Sequence, residues 1–323
     1  MRALVTGGAG FIGSNLVREL MRIGWSVHIV DDLSSGRISL IPEAEPDQVG
    51  PTVDIASFTD PYILDKIGLK NVDIIFHQAA IPRVSYSVAQ PILTMQTNLL
   101  ATAKLFRAAA ERDVPVVWAS SSSVYGGAEF LPTHESERGK FLPKSPYAMQ
   151  KYHSEDYAAL FGELYGLRSF GLRYFNVFGP GQYAGGPYST AVAAWCHAIK
   201  NGEECRSDGD GTQSRDMCYV DNVVHANIQA AKVLLDGCPW AKMGRCYNIA
   251  LGDRVSNNEI LEFLQQRFGA RVRIRHAPPR AGDVMHTQAD IGRAKEELGY
   301  DPKVRFWDGL RRTLIWWGLE ETR

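Results

Sequence analysis

The chain has 323 residues, of which 45% are hydrophobic, so one or two lobes with a substantial core are expected. Its formal net charge is −1 and it has no basic run, which argues against nucleic acid or an anionic membrane as a partner. No signal peptide or membrane-spanning run is recognisable, and the five cysteines form no CxxC pair, so we expect a cytoplasmic chain with reduced thiols and no metal site.

The first fourteen residues predict a strand, a glycine turn and a helix. Residues 3–6 are apolar and strand-length, and apolar residues at helical spacing begin at Phe11. Between them, Gly7 would allow a turn with positive φ, and Gly10 would let a pyrophosphate approach the backbone. Gly13 would let the helix lie close to its strand. The first N–H groups of such a helix bind phosphate, so the segment indicates a dinucleotide site.

Two acids support this interpretation. The second predicted strand covers residues 27–32, with Asp31 at its end. That is about 20 residues past the glycines, where an acid binds the ribose hydroxyls of an adenosine. Asp54, at the end of a short third strand, is placed to reach an adenine edge.

Strand-like and helix-like segments alternate through the first half of the chain, which predicts an α/β fold with a Rossmann-type doubly wound parallel sheet. We expect residues 1–176 to form the dinucleotide-binding domain, with 216–236 packing back on it. Loops rich in glycine begin near residue 177, so residues 177–323 are expected to form a smaller α/β substrate-binding lobe. Further strands are predicted at 72–77, 114–119, 167–174 and 246–250, and helices at 60–68, 97–110, 222–235, after Ser256, at 290–298 and at 306–319.

Three side chains form a chemical set. Ser121 follows a central strand, and Pro146 starts a helix that carries Tyr147 and Lys151 one turn apart on one face. Removing hydride from a carbinol requires a base for the hydroxyl proton. A tyrosine serves only if its pKa, about 10, is lowered, and a nearby ammonium group favours the phenolate. The serine hydroxyl can relay the proton.

Seven motifs occur in a fixed order: TGGAGFIGS, HQAA, SSSSVYG, YAMQK, RYFNVFGP, GDGTQSRD and RAGDV. With them the chain resembles the extended short-chain dehydrogenase/reductase family from end to end. Within that family it is similar to NAD-dependent nucleotide-sugar 4-epimerases, above all to bacterial UDP-N-acetylglucosamine 4-epimerases. The segments 214–219 and 247–250 carry much of this second similarity.

The resemblance implies NAD as cofactor and assigns residue roles. Tyr147 is the base, and Lys151 lowers its pKa and bonds the nicotinamide ribose. Ser121 is the catalytic hydroxyl. The implied cofactor contacts are Gly7, Gly10, Phe11, Ile12, Asp31, Asp32, Ser34, Gly36, Asp54, Ile55, Gln78, Ala79, Asn98, Tyr147, Lys151 and Phe175. The implied substrate contacts are Ser123 on the sugar, Asn176, Arg215 and Arg280 on the diphosphate, Asp283 on the uridine ribose, and Thr287.

The implied reaction is 4-epimerisation of a UDP-hexose through a transient 4-keto sugar. Thr287 stands where epimerases restricted to plain hexoses carry a bulky tyrosine. This favours UDP-N-acetylglucosamine and UDP-N-acetylgalactosamine as substrates and leaves UDP-glucose and UDP-galactose open. Helices near 94–111 and 147–163 match those that form a four-helix dimer interface in relatives, so a homodimer is expected.

Three other functions would require residues that differ from those of a UDP-hexose 4-epimerase. A 4,6-dehydratase needs an acid pair where this chain has Ser122 and Ser123. A UDP-glucuronate 4-epimerase needs a cation for the sugar carboxylate. The loop at 179–188 has no Arg or Lys, although Arg83 stays open. A sensor that has lost catalysis would lack the Tyr147 and Lys151 pair.

Overall fold

In the computed structural model of the chain, which describes residues 1–44, 49–60, 62–63, 69–182, 184, 190–278 and 284–321, seven strands form one parallel sheet. Its order is β3-β2-β1-β4-β5-β6-β11, so the winding direction reverses between β1 and β4. This confirms the predicted Rossmann-type doubly wound sheet. The strands are β1 (Arg2–Thr6), β2 (Ser26–Asp31), β3 (Thr52–Ile55), β4 (Ile74–His77), β5 (Val116–Ser121), β6 (Ser169–Tyr174) and β11 (Cys246–Ile249).

Most predicted helices lie close to their expected positions, and the structure adds three that were not predicted, at Val84–Ala89, Pro91–Met95 and Ala191–Asn201. In chain order the helices are α1 (Phe11–Arg22), α2 (Val84–Ala89), α3 (Pro91–Met95), α4 (Thr102–Glu111), α5 (Pro146–Tyr165), α6 (Ala191–Asn201), α7 (Val220–Leu235), α8 (Asn257–Phe268), α9 (Gly292–Leu298) and α10 (Phe306–Trp316). The capping box of Ser256 and Glu259 starts α8 as expected. The helix expected at 60–68 falls largely outside the described residues.

One predicted helix has a different local geometry. The segment Gln96–Ala101 is π-helical and runs into α4, whereas one α-helix was expected over 97–110. A π-helical turn adds a residue and rotates the side chains that follow it. Apolar periodicity does not reveal such a turn, because the hydrophobic stripe continues on both sides of it.

Helices cover both faces of the sheet because alternate strand residues point to opposite sides. Leu4 of β1 packs in one buried cluster with Leu105 and Phe106 of α4. Its neighbour Val5 packs in the other cluster with Leu16 of α1 and Val223 of α7. The helix α7 therefore packs back on the sheet.

A third buried cluster, which we call the second core, lies beside the sheet. Phe178, Trp195, Ile260 and Leu310 are buried in it. Three two-stranded pairs support it: β7 (Val177–Phe178) with β10 (Cys218–Tyr219), β8 (Glu204–Asp208) with β13 (Arg273–Ala277), and β9 (Ser214–Arg215) with β12 (Val255–Ser256).

Segments late in the chain also contribute to the main sheet and to the core that covers it. The strand β11 pairs in parallel with β6 and completes the main sheet. The helix α9 packs through Ala294 and Leu298 in the cluster on the sheet face that also holds Val5 and Leu16. The chain thus crosses between the two cores more than once, because the seventh strand comes from a late segment. No helix in the described ranges combines the length and apolarity needed to cross a membrane, and all five cysteines are free thiols.

Candidate active site

The glycine turn after β1 forms a wall made of backbone. Gly7 has φ +73° and donates its N–H to the Val30 carbonyl at 2.8 Å. A Cβ added to Gly7 would lie 2.6 Å from the Ala79 nitrogen, and one added to Gly13 would lie 2.0 Å from the Gly7 carbonyl oxygen. The close approaches expected for Gly7 and Gly13 are therefore present. The start of α1 faces the space above this turn, where its N–H groups favour anions.

Asp31 joins this turn to the end of β2. Its carboxylate accepts hydrogen bonds from the Ala9 and Leu33 N–H groups, both at 2.9 Å. Burial raises the pKa of Asp31, and these two backbone bonds oppose the rise. A Cβ on Gly36 would lie 2.7 Å from an Asp31 carboxylate oxygen, so Gly36 leaves room for the acid. The acid thus holds the glycine turn while lining the space beside it.

A cavity of about 550 Å³ lies over the carboxyl ends of the strands, where β1 and β4 diverge. Ser121, Tyr147 and Lys151 line it together with most of the expected cofactor contacts. Those contacts are Gly7, Gly10, Phe11, Ile12, Asp31, Asp32, Ser34, Gln78 and Ala79.

Five expected cofactor residues do not line this cavity. One is Gly36, which lies against Asp31. Of the others, Asp54 has its carboxylate 2.9 Å from His28 Nε2, and Ile55 is 61% exposed. Asn98, on the π-helical segment, is buried and exchanges two hydrogen bonds with the backbone of Ile81. It shapes the loop after β4 rather than facing the cavity. Phe175 lines the second cavity instead.

The expected catalytic set is assembled where strand β5 meets helix α5. Ser145 caps α5 by accepting a hydrogen bond from the Ala148 N–H, and the Tyr147 N–H donates to Ser87 Oγ at 3.0 Å. The side chains of Tyr147 and Ser121 line the same cavity, and Ser121 acts to lower the pKa of the phenol. These contacts fix the first turn of the helix, so the phenol stands next to the serine hydroxyl.

Lys151 and Ser123 complete the set from either side. Lys151 Nζ donates to the Ala119 carbonyl at 2.7 Å, and its side chain is 2% exposed. Ser123 Oγ donates to Ser121 Oγ at 2.8 Å. Ser121 therefore connects Tyr147 to a second hydroxyl, as a proton relay requires.

The charge state differs from the sequence-based expectation. Burial raises the pKa of Tyr147 above its ordinary value, and the hydrogen bond from Ser121 opposes this rise in part. The sequence predicts a phenol pKa lowered by Lys151, whereas burial acts in the opposite direction because it disfavours the phenolate. The same burial lowers the pKa of Lys151 to about 8, with Glu155 acting in the opposite direction. Neighbouring His77 has a pKa lowered to about 3 by burial and by Lys151.

A second cavity, of about 640 Å³, lies between the sheet and the second core. Of the expected substrate residues, Ser123, Asn176, Arg215 and Thr287 line it. Asn176 also lines the first cavity, so the two cavities meet there. Arg280 and Asp283 lie outside the described residues.

Asn176 and Thr287 share a hydrogen bond across 111 residues of sequence. Asn176 has φ +31° and donates its amide to the Asp216 carbonyl and to Thr287 Oγ1, both at 3.1 Å. Thr287 Oγ1 also accepts the Asp216 N–H at 3.2 Å. Thr287 is a short side chain in the cavity wall, and its hydroxyl holds Asn176 in place.

Asp216 was missed as a site-building residue. It is fully buried and accepts hydrogen bonds from the N–H groups of Leu251, Gly252 and Ala289 at 2.9–3.1 Å. Burial raises the pKa of Asp216 to about 7 against these bonds. One carboxylate thus ties the segments that carry Arg215 and Thr287, which line the second cavity, to residues 251–252. Its place in the SRD motif was a signal, but the motif does not show its partners.

Other residues were missed as well. Lys144 and His286 line the second cavity, and His286 Nδ1 lies 2.8 Å from Ser214 Oγ. In the first cavity, Gln78 is held by Tyr174 and Asn227, which hydrogen-bond each other and the Gln78 amide at 2.9–3.2 Å. Asn227 lies on α7, far along the chain, and no local pattern marked it.

Comparison with known proteins identifies clear relatives. A sequence model of the NAD dependent epimerase/dehydratase family matches residues 3–250. UDP-glucose 4-epimerase of Mycolicibacterium smegmatis is 35% identical over 316 residues, 97% of each chain. Two solved structures are also similar. UDP-N-acetylglucosamine 4-epimerase from Methanobrevibacter ruminantium M1, in complex with UDP-N-acetylmuramic acid, has 37% identity, a TM-score of 0.88 and coverage of 98% of this chain and 97% of that one. MoeE5 in complex with UDP-glucuronic acid and NAD has 33% identity, a TM-score of 0.82 and coverage of 98% of each chain.

Proposed function

The chain belongs to the NAD-dependent epimerase/dehydratase family, and on that premise we propose that it catalyses 4-epimerisation of a UDP-hexose. UDP-N-acetylglucosamine and UDP-N-acetylgalactosamine are the proposed principal substrates, with UDP-glucose and UDP-galactose as further substrates. One observation carries the proposal: Tyr147 lines the first cavity together with Ser121 and Lys151, while its helix neighbour Ala148 and Ser123 line the second cavity. A base at that junction can reach a sugar hydroxyl and a nicotinamide together.

NAD fits the first cavity. The glycine turn leaves room that a Cβ would fill, and the helix start supplies anion-binding N–H groups. The acid Asp31 ends β2 and suits ribose hydroxyls, whereas a 2′-phosphate would meet its negative charge. When bound, NAD would supply a hydride acceptor for sugar carbon 4 and, once reduced, a hydride donor for the opposite face of that carbon.

The chain's own residues move the proton. Tyr147 accepts it from the 4-hydroxyl and gives it back when the carbonyl is reduced. Lys151, four residues along the same helix face, offsets the negative charge of the phenolate, and Ser121 donates to the reacting oxygen. A bound cationic nicotinamide favours the phenolate as well, against the burial that raises the pKa of Tyr147.

Both faces of the keto sugar have to meet the cofactor, so the nucleotide must be held firmly and the sugar loosely. We assign the diphosphate to Asn176, Arg215 and Arg280, since guanidinium groups form bidentate hydrogen bonds to phosphate. Asp283 is assigned to the uridine ribose. Most of the binding free energy is then expected on UDP, so UDP alone should bind almost as tightly as the UDP-sugar.

The preference for N-acetylated sugars rests on side-chain volume. Thr287 lines the second cavity with a short side chain that is already hydrogen-bonded to Asn176. A short residue there leaves space for an acetamido group on carbon 2 and does not reject a plain hydroxyl.

UDP-glucuronate is a second candidate, and Lys144 is the observation that favours it. This lysine lines the second cavity, with Nζ 4.0 Å from the position that a Cβ on Gly127 would take. An ammonium group there can attract a sugar carboxylate. The loop at 179–188 contains no Arg or Lys that could do so. Replacing Lys144 with Met should lower kcat/KM for UDP-glucuronate about 10-fold and leave UDP-N-acetylglucosamine unchanged if this candidate holds.

A homodimer completes the proposal. The helical segment from 91 to 101 exposes Ile92, Leu93 and Leu100, and the helix α5 exposes Leu160 and Leu164. An apolar face on these two neighbouring helices is suited to a two-fold interface. Sedimentation should then give twice the mass of the chain.

The test uses purified protein without added NAD. It is incubated separately with UDP-glucose, UDP-N-acetylglucosamine and UDP-glucuronate, and the 4-epimers are separated and quantified. We expect conversion of the acetylated pair with deuterium at carbon 4 retained. Conversion of the acetylated pair far slower than the others overturns the substrate choice, and loss of the label to solvent overturns the mechanism.

A further inference from the structure

A buried carboxylate lies one helical turn beyond Lys151. Glu155 follows Tyr147 and Lys151 at four-residue intervals on α5, so the three side chains share one face of that helix. Glu155 is 4% exposed. The proposed mechanism gives Glu155 no role. Of the acids on that helix face, Glu155 is the nearest in sequence to Lys151.

Glu155 is held by groups from three other elements. Ser120 Oγ, on the strand that ends at Ser121, donates to Oε1 at 2.6 Å. Arg173 of β6 donates to both carboxylate oxygens at 2.9 and 2.8 Å. The Arg138 guanidinium forms an ion pair with Oε2 at 2.7 Å. These contacts leave the carboxylate one available position, beside two guanidinium groups.

The charges near the catalytic lysine are therefore unequal. Arg173, Arg138 and Lys151 bring three positive charges to this region. Glu155 contacts both guanidinium groups, and Asp156 forms a further ion pair with Arg138 at 2.6 Å. His77, which faces Lys151 from β4, is neutral because burial lowers its pKa to about 3. Tyr147 is neutral in its resting form, since burial raises its pKa.

On the basis of the proposed function, we propose that Glu155 is a positioning residue that keeps Lys151 protonated during turnover. Its carboxylate compensates the ammonium charge from one turn away, while Arg173 and Ser120 hold it in place. The protonated lysine then remains available to stabilise the Tyr147 phenolate. Burial alone would discharge the lysine within the working pH range, because the pKa of Lys151 is already lowered to about 8 in the presence of Glu155.

The sign of the effect follows directly. A protonated Lys151 is needed for turnover, so its deprotonation produces the alkaline limb of the profile of kcat against pH. Replacing Glu155 with Gln removes the compensating charge, and the pKa of Lys151 falls further. The alkaline limb should move to lower pH by about one unit or more. Replacing Glu163 with Gln makes the same chemical change at an exposed position of the same helix, and it should leave the limb in place.

Removing a cation should have the opposite effect. Arg138→Gln takes away one partner of Glu155 and leaves its negative charge for Lys151. The alkaline limb should then move to higher pH by a few tenths of a unit. This variant also covers the case in which Glu155→Gln does not fold, since Arg138 is on the edge of the network with 21% of its side chain exposed.

A second measurement does not depend on activity. Protein labelled with ¹³C at the lysine ε-carbons is titrated by NMR, and the Lys151 signal is assigned by its loss in Lys151→Arg. The apparent pKa should be lower in Glu155→Gln and higher in Arg138→Gln than in the unmodified chain. Unchanged titration and an unchanged alkaline limb in the folded variants overturn the inference. If no UDP-sugar is turned over while the NMR shifts occur as expected, the proposed function fails and the role of Glu155 in the charge of Lys151 stands.

Discussion

The two cavities have walls of different construction. The first is shaped by backbone, through Gly7, Gly13 and the carboxyl ends of strands that belong to one parallel sheet. The second is shaped by side-chain hydrogen bonds between segments far apart in sequence, with Asp216 joining residues near 251 and 289. The backbone wall of the first cavity tolerates no added atoms. The wall of the second cavity depends on polar partners that must be present together.

The proposed catalytic group lies where the two cavities meet and contributes side chains to both. Tyr147 lines the first cavity, while Ser123, which is hydrogen-bonded to Ser121, lines the second. Variants in one wall should therefore affect one ligand, and variants of the catalytic group should affect turnover without affecting either ligand.

The largest expected effect tests that independence. Tyr147→Phe removes the proton acceptor and leaves the ring in place, so kcat should fall about 10³-fold. NAD content of the purified protein and affinity for UDP should stay near those of the unmodified chain, as spectrophotometry and calorimetry can establish. A variant that turns over at the original rate would remove Tyr147 from the mechanism.

Gly13→Ala tests the backbone wall. The new methyl group would lie 2.0 Å from the Gly7 carbonyl oxygen, so the turn must shift, at a cost of about 3 kcal/mol in unfolding free energy. The purified protein should contain little NAD. Gly24→Ala is the matched control, because Gly24 has φ +83° and no atom within 4 Å of the added Cβ. It should lose about 1 kcal/mol and keep its NAD. Equal NAD content in the two variants would contradict the close-approach argument.

Asp216→Asn tests the hydrogen-bonded wall. The amide can accept fewer of the three N–H bonds, so the free energy of unfolding should fall by about 2 kcal/mol. KM for the UDP-sugar should rise while NAD content is unchanged. The exposed neighbour Asp253 provides the control, since Asp253→Asn should change neither quantity. Loss of NAD from Asp216→Asn would show that the two walls are coupled.

The smallest expected effect is the change in stability on replacing Lys151 with Met. Burial lowers the pKa of Lys151 from 10.5 to about 8, so the folded chain binds the proton less tightly than the unfolded chain. Stability linked to this group therefore rises between about pH 8 and pH 10.5 and is reduced below pH 8. At pH 7 the variant should be inactive yet more stable by roughly 1 kcal/mol, after the loss of the bond to Ala119. Thermal denaturation at pH 7 and pH 10 should show the gain shrinking as pH rises.

Local patterns were sufficient for the sheet and the cofactor wall. The apolar runs, the glycine spacing and the acid at the end of β2 lie within about thirty residues of one another, and such short-range constraints are visible in a single sequence. The same holds for Tyr147 and Lys151, which one helical turn brings together without help from the rest of the fold.

Other features depended on contacts across the whole chain. The π-helical turn at Gln96–Ala101, the pairing of β11 with β6, and the amide of Asn227 on Gln78 result from packing between distant segments. The charge of Tyr147 is a further case, because the sequence indicates its lysine partner but not how much water burial removes.

The sequence by itself determined the fold class, the glycine turn and the proximity of the proposed catalytic pair Tyr147 and Lys151, because these depend on residues that are neighbours in a strand, turn or helix. Tertiary structure alone decided which residues reach the cavities, that Asp216 holds the second wall together, and that Glu155 stands beside the catalytic lysine. The physical reason is that hydrogen bonding and desolvation depend on distance in space, which sequence separations of 35 to 111 residues do not reveal.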